Sequence, residues 1–323
     1  MVSLFLYIKN QHDQLVNCLN SITQQTNHEF ALHLCLDGTN QAVNELISQH
    51  DFRGIKAVIV HKTDTAVGNG FFYHLAKTIG DGDYVWFGNS YCTFAPNFIA
   101  LITQITTTDH PELIDFSRNH NAKNHTVDIF NIRDLFFHQD QVTPFIYDKL
   151  FSTTFLNAHN ICFNQLHTQP LAFIYDVFAC VENVYKVNEP VFTYIHNRQE
   201  FDNIYDIIYM AQNIVKQNQN TDFWKNYYVL IEYVAIVHIL CIFLYNIYKN
   251  NDDPIILKNA VNSCKALFDE TFKNWRDNQI IQQKNQLNDD VCHLLRNFNF
   301  KKKDINALIN LLDQQYYSSQ ANE

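Results

Sequence analysis

Short apolar runs alternate with stretches of helical periodicity over the first hundred residues, and this alternation is the feature that most limits the fold. Four runs are typical of buried strands: residues 4–8, 31–36, 55–60 and 83–87. Between the first two, apolar residues recur at the spacing of one helix face, at Leu15, Cys18, Leu19 and Ile22. Strands that alternate with helices in this way predict an α/β fold with a mostly parallel sheet flanked by helices on both faces.

The pattern changes near residue 200. From there to the end, helical periodicity with Asn and Gln on the polar faces takes over, and Gly and Pro nearly vanish. The sequence therefore predicts two domains, an α/β domain at residues 1–200 and an all-α C-terminal domain at residues 201–323.

Composition excludes several classes of protein. The 323 residues are 47% hydrophobic and carry a net charge of −10, with Lys301-Lys302-Lys303 as the one cluster of basic residues, so the chain is neither disordered nor expected to bind nucleic acid. The eight cysteines form no C-x-x-C pair, and the fifteen histidines show no ligand spacing, so no zinc site is expected. Residues 1–8 lack the features of a signal peptide, which predicts a cytoplasmic protein.

Residues 227–248 are apolar and long enough to cross a bilayer. Glu232, His238 and Asn246 interrupt this stretch at a cost that a protein core tolerates better than lipid does. We therefore expect a buried helix whose Glu232 and His238 are paired or face water. The alternative is a helix in or on a membrane, which would place the protein at the inner face of the membrane.

Three turns follow predicted strands, at residues 9–13, 37–40 and 88–92. In an open α/β sheet the ligand crevice lies at the carboxyl ends of the strands, near the point where the strand order reverses. The side chains of these turns are therefore the first candidates for a binding site.

Six stretches in the first 200 residues occur in an order that resembles a known family. They are SLFLYIKNQHDQLVNCLNSITQQT, LCLDGTN, GDYVWFGNSYCTFAPNF, YDKLFSTTFL, YDVF and VNEPVFTYIHNR. Together they resemble a family 2 glycosyltransferase with the GT-A fold, which is a Rossmann-like sheet flanked by helices. The resemblance implies transfer of a sugar, with inversion, from a nucleotide-sugar to a hydroxyl of a glycan, lipid-linked or protein acceptor.

The chain departs from this family in the turn that would hold a metal. Asn89 and Tyr91 stand where the family has its D-x-D carboxylates, which bind Mg²⁺ or Mn²⁺ against the diphosphate. One amide oxygen and one phenol replace two negative charges, so we expect no metal ligand set and at most a weakly bound Mg²⁺ or Mn²⁺. Ala66-Val67-Gly68 stands where the family has Ala-Arg-Asn.

The resemblance also implies roles for individual residues. It assigns the nucleotide to Tyr7, Asp37, Gly38, Asn89 and Tyr91, and the diphosphate or acceptor to Lys149, His196 and Arg198. It makes Asp176 the general base that takes the proton of the acceptor hydroxyl. Structural roles remain open beside these: Asp37 could shape a turn, Asp176 could cap a helix, and His196 could be a hydrogen-bonded core histidine.

The sequence leaves three functions open. The first is a glycosyltransferase that uses a nucleotide-sugar, most simply a UDP-sugar, with weak or absent metal dependence, in polysaccharide biosynthesis. The second is a catalytically inactive GT-A homologue that acts as a binding or scaffolding subunit beside a partner glycosyltransferase. A third class, a membrane-anchored assembly protein in which the α/β part is a spacer, is the least favoured. A fold shared with transferases does not decide between them.

Overall fold

The structure is a computed structural model that describes residues 1–9, 12–78, 83–116, 125–128, 146–163, 171–194, 222–282 and 289–320, with isolated residues at 208, 211, 212 and 215. The chain forms two compact units, Met1–Asn197 and Arg198–Glu323.

The described residues of the N-terminal unit form ten strands. They are β1 Val2–Ile8, β2 Phe30–Leu36, β3 Ala57–Lys62, β4 Tyr84–Asn89, β5 Cys92–Phe94, β6 Leu113–Asp115, β7 His125–Asp128, β8 Lys149–Ser152, β9 Asn183–Lys186 and β10 Phe192–Tyr194. Eight of them form one mixed sheet in the order β3-β2-β1-β4-β8-β6-β9-β7, and β5 pairs with β10 in a separate antiparallel ribbon. Strands β3, β2, β1 and β4 are all parallel, whereas β8 runs antiparallel to both β4 and β6.

The helices of this unit follow the strands as the alternation predicts. They are α1 His12–Thr23, α2 Gln41–Gln49, α3 Asn69–His74 with a 3-10 turn Leu75–Thr78, α4 Phe98–Thr108, α5 Thr153–Ala158 and α6 Leu171–Cys180. Helix α2 begins where the Asn40 side chain accepts the Val43 N–H. Helix α4 begins at Phe98, two residues after Pro96, with Asn97 as its N-cap.

Both faces of the central strands are buried, which explains their continuous apolar runs. Every residue of β1, β2 and β4 is buried. On one face Leu6 and Leu34 join a core that includes Leu19 of α1 and Ile102 of α4. On the other face the ring of Phe87 contacts aromatic rings of neighbouring segments, among them Tyr73, Phe163 and Phe173. The predicted α/β fold, a largely parallel sheet between helices followed by a helical region, is confirmed.

The described part of the C-terminal unit is helical. Its elements are α7 Asp222–Ile236, a π-helix Val237–Leu244, α8 Tyr245–Asn250, α9 Pro254–Thr271, a 3-10 turn Trp275–Asp277, α10 Gln279–Gln282, α11 Asp289–Arg296 and α12 Lys302–Gln320. Trp275 lies at the centre of this unit, with ring contacts to Phe268, Phe298 and Phe300.

Residues Trp224–Asn250 form a continuous helical stretch that is long and apolar enough to cross a membrane, and three-quarters of its most apolar window is buried in the structure. Buried Glu232 accepts hydrogen bonds from Tyr228 Oη at 2.9 Å and from Asn278 Nδ2 at 2.8 Å. Glu232 is therefore paired, as expected, although burial raises its pKa. His238 is buried without a partner for Nδ1, and burial lowers its pKa to about 4, so it is held neutral.

Candidate functional site

The candidate site lies at the carboxyl ends of β1, β2 and β4. In the sheet register Tyr7 of β1 is opposite Cys35 of β2 on one side and Asn89 of β4 on the other. Asp37 follows β2 directly, and its N–H donates to Ile8 O at 2.9 Å. Asp37 and Asn89 therefore lie at the same edge of the sheet, on either side of the end of β1, where an open α/β sheet binds its ligand.

Asp37 is buried and accepts four hydrogen bonds from protein donors. Its Oδ2 accepts from Tyr7 Oη at 2.6 Å and from the Gly68 N–H at 3.1 Å. Its Oδ1 accepts from the Val67 N–H at 2.7 Å and from Thr63 Oγ1 at 3.4 Å. The carboxylate thus connects the ends of β1 and β2 to the segment that follows β3.

Gly38 continues this turn in the left-handed region, with φ of +79°. Its N–H donates to Thr63 Oγ1 at 3.2 Å, and Thr39 Oγ1 donates to the carbonyl of Asp64 at 3.2 Å. Because residues with a Cβ rarely adopt this φ, Gly38 is the residue that lets the chain turn back against residues 63–64.

The turn Asn89-Ser90-Tyr91 points its polar groups inward. All three residues are buried, and Asn89 Oδ1 accepts the Tyr91 N–H at 3.0 Å, which is an Asx turn. Gly88, which precedes the turn, is packed against the indole of Trp86. A Cβ at this position would lie 2.0 Å from Trp86 Cη2, so only glycine fits here without a shift of the indole. The Trp86 indole N–H in turn donates to the carbonyl of Tyr147 at 2.7 Å.

These groups do not fit a divalent cation. Mg²⁺ takes oxygen ligands and is usually held in a protein by one or two carboxylates together with water and phosphate oxygens. The turn has no carboxylate, and the amide oxygen of Asn89 already accepts the Tyr91 N–H. Within the described ranges, no three His, Cys, Asp or Glu side chains form a group that could hold a metal ion. The chemistry of this turn therefore offers no carboxylate to a metal–diphosphate complex.

Lys149 lies in a buried cluster of ion pairs rather than on an open surface. Its ammonium is fully buried and contacts Asp115 at 3.1 Å and Asp148 at 2.8 Å. Asp115 also pairs with Lys186 at 2.6 Å, because Asp115 of β6 is the direct cross-strand partner of both lysines. Burial alone would lower the pKa of Lys149, but the carboxylates of Asp115 and Asp148 raise it by more. Lys149 is therefore charged, and its charge is balanced by these two carboxylates.

Asp176 lies in the middle of α6, half-buried. Burial raises its pKa from 3.8 to about 6. One turn later on the same helix, burial raises the pKa of Cys180, and the charges of Asp176 and Glu112 add to that effect. Glu112 directly precedes β6, and its carboxylate accepts hydrogen bonds from the N–H groups of Glu182 and Asn183, which follow α6. Helix α6 therefore ends at the amino end of β6, at the edge of the sheet opposite to Asp37 and Asn89. His196 and Arg198 lie outside the described residues.

The structure thus brings together Tyr7, Asp37, Gly38, Asn89 and Tyr91. Sequence reasoning missed the donors of the segment 63–68, which lie about thirty residues from Asp37. It also missed Asp115 and Lys186, although a charged residue inside an apolar strand run is a signal of a buried ion pair. Both of these strand runs, LID and NVYK, carry that signal.

The order of strands, the parallel β3-β2-β1-β4 half and the antiparallel β8 define a GT-A-like glycosyltransferase fold. The chain is similar to S. aureus TarS. Residues 1–349 of TarS in complex with UDP-GlcNAc superpose with a TM-score of 0.67 and 13% identity, over 98% of this chain and 92% of that chain. The same TarS residues in complex with UDP superpose with a TM-score of 0.66 and 13% identity, over 98% of this chain and 91% of that chain. A further TarS structure superposes with a TM-score of 0.64 and 12% identity, over 96% of this chain but only 55% of that chain.

At this identity the likeness establishes the fold and not the activity. No protein-family model matches the sequence, and no curated protein matches it.

Proposed function

We propose that this chain is a glycosyltransferase that transfers a sugar from a nucleotide-sugar to the hydroxyl of a glycan, lipid-linked or protein acceptor. The observation that carries the proposal is the GT-A-like fold, matched over 98% of the chain, with a polar edge at the carboxyl ends of β1, β2 and β4. Because TarS was solved with UDP-GlcNAc and with UDP, a UDP-sugar is the donor we propose. Family 2 is the proposed family, since the six sequence stretches resemble it.

The proposed reaction depends little on a divalent metal. The D-x-D position holds Asn89 and Tyr91, whose buried Asx turn supplies no carboxylate. The departing diphosphate then needs another source of positive charge. Lys149 is compensated by Asp115 and Asp148, which makes Arg198 and His196 the proposed diphosphate or acceptor contacts.

In the proposed step, the acceptor oxygen bonds to the anomeric carbon from the face opposite the diphosphate. The bond between that carbon and the diphosphate oxygen breaks, its electron pair leaves with UDP, and the acceptor proton passes to a carboxylate. Asp176 is the proposed base. Its pKa of about 6 makes it a stronger base than an ordinary aspartate while it is still largely ionised at neutral pH.

The second candidate is a non-catalytic subunit that binds or scaffolds a partner glycosyltransferase. One observation favours it: the turn at the metal position is a buried Asx turn that supplies no carboxylate. In either function we propose that residues 201–323 form a helical domain, and that the protein is cytoplasmic with at most peripheral contact at the inner face of the membrane.

A nucleotide panel followed by a turnover assay tests this proposal. UDP at 100 times its Kd should stabilise the protein by about 2.7 kcal/mol, which a thermal scan detects, while GDP and CDP at the same concentration should do less. UDP-sugar should then be hydrolysed or transferred slowly, with release of UDP, and Asp176→Asn should slow that release by about 10²–10⁴-fold. UDP binding without UDP release from any UDP-sugar would support the second candidate. The absence of a shift with every nucleotide would contradict the proposed glycosyltransferase and would be the result expected of a purely scaffolding subunit.

A further inference from the structure

The carboxylate of Asp37 is saturated by the protein itself. A carboxylate has about four acceptor positions, two on each oxygen. In Asp37 they are taken by Tyr7 Oη and the Gly68 N–H on Oδ2, and by the Val67 N–H and Thr63 Oγ1 on Oδ1. A donor on a nucleotide base or ribose would have to displace one of these, and the shortest ones come from buried or half-buried groups.

Three of the four donors to the Asp37 carboxylate belong to one segment, residues 63–68, which we call the 63–68 segment. It leaves the edge strand β3 and ends at Gly68, whose φ of +84° is in the left-handed region. Residues 64, 65 and 66 are exposed, so one side of the segment faces solvent. Three further hydrogen bonds join the segment to β2 and the turn after it. The Thr63 N–H donates to Leu36 O, the Gly38 N–H donates to the Thr63 hydroxyl, and the Thr39 hydroxyl donates to the Asp64 carbonyl.

Helix α3 begins directly after the 63–68 segment and crosses the same edge of the sheet. Its Phe72 ring contacts Tyr7, and its Tyr73 hydroxyl donates to Gly88 O at 2.8 Å. The segment and α3 therefore connect the carboxyl ends of β2, β1 and β4 in turn. Both therefore lie along the edge at which the ligand is proposed to bind.

We infer that Asp37 is a positioning residue, which fixes the 63–68 segment as a wall of the nucleotide site and does not itself contact the nucleotide. This inference rests on the proposed function. Two backbone N–H groups that point at one carboxylate hold the segment in a single conformation, because charged hydrogen bonds are stronger than neutral ones. Asparagine at this position keeps one acceptor oxygen, while its NH₂ group faces the two donors of the other oxygen and cannot accept from them. The substitution therefore removes about half of the hydrogen bonds that hold the segment.

Hydrogen exchange and UDP titration together test the inference on the full-length protein. In Asp37→Asn, without any ligand, the amides of Val67 and Gly68 should exchange at least tenfold faster, measured by mass spectrometry on a peptide that covers residues 62–70. The Kd for UDP, measured by calorimetry, should rise at least tenfold in the same variant. Asp64→Asn is the matched control, since it removes a negative charge from an exposed side chain of the same segment and should leave the exchange of both amides within twofold.

A second variant keeps the test decisive if Asp37→Asn fails to fold. Tyr7→Phe removes one donor from the Asp37 carboxylate. It should speed the exchange of the Val67 and Gly68 amides and raise the Kd for UDP together, each by less than Asp37→Asn does. UDP affinity lost with unchanged exchange would show direct contact and overturn the inference, and so would faster exchange with unchanged UDP affinity. Failure of the unmodified protein to bind UDP would refute the proposed function, while the exchange result would still report whether Asp37 holds the segment.

Discussion

Asp176→Asn should make the protein more stable at neutral pH, although it removes the proposed base. Burial raises the pKa of Asp176 from 3.8 to about 6, so its charged form is disfavoured in the folded state. One pKa unit is worth about 1.4 kcal/mol, which gives an upper limit of about 3 kcal/mol for charging this carboxyl in the folded protein. Because the side chain is half-buried and solvent screens part of the effect, we expect about 1–3 kcal/mol.

The sign of the pH dependence follows from the same shift. The folded-state pKa lies above the unfolded value, so this group contributes its full stability below about pH 4 and loses it as the pH rises through about 6. Asparagine cannot ionise. The difference in the free energy of unfolding between Asp176→Asn and the unmodified protein should therefore be largest above pH 7 and smaller at pH 5.

Urea denaturation at pH 5 and pH 7.5 measures this difference. Trp86 is the single tryptophan of the N-terminal unit, so a background with Trp224→Phe and Trp275→Phe reports on that unit through its fluorescence. Asp64→Asn, an exposed carboxyl of the same unit, is the control and should stay within about 0.5 kcal/mol at both pH values. If Asp176→Asn is less stable than the unmodified protein at pH 7.5, or if the difference does not depend on pH, the burial argument is wrong.

Two further substitutions test the packing around the site. Asp115→Asn should lower the free energy of unfolding by about 3–5 kcal/mol, because it leaves the buried Lys149 and Lys186 without their shared carboxylate. Urea denaturation measures this cost, and a cost below about 1 kcal/mol would mean that the lysines find other partners. Gly88→Ala should cost about 1–3 kcal/mol, since the new methyl would lie 2.0 Å from the buried Trp86 indole, and a Trp86→Phe background should remove most of that cost; equal cost in both backgrounds would refute the steric explanation.

Much of the fold could be predicted from the sequence because strands buried on both faces are continuous apolar runs. The third strand shows the limit of this signal. The sequence indicates residues 55–60, whereas β3 is Ala57–Lys62, an edge strand with residues Ile59 and Val60 exposed. An edge strand needs less apolar sequence than a central one, so its bounds are less well marked.

The site could be predicted only in part, because some of its residues contact partners that lie about thirty residues away in the sequence. Asp37 directly follows β2 and Asn89 ends β4, and the alternation of strands and helices predicts that the carboxyl ends of such parallel strands share one edge of the sheet. The partners of Lys149 are different: Asp115 is 34 residues away and is joined to it by an antiparallel register that no local pattern contains. The same applies to Asp37, whose donors on residues 67 and 68 depend on how the chain turns after β3.

We propose that the edge formed by β1, β2 and β4 binds a nucleotide with little help from a metal. Calorimetric titration of the unmodified protein with UDP, with and without Mn²⁺, tests this proposal. We expect saturable UDP binding whose affinity changes less than tenfold, or about 1.4 kcal/mol, when Mn²⁺ is added. In Asn89→Asp/Tyr91→Asp, which restores two carboxylates to the turn, Mn²⁺ should strengthen UDP binding. Binding of UDP to the unmodified protein that appears only with Mn²⁺, or no binding under either condition, would contradict it.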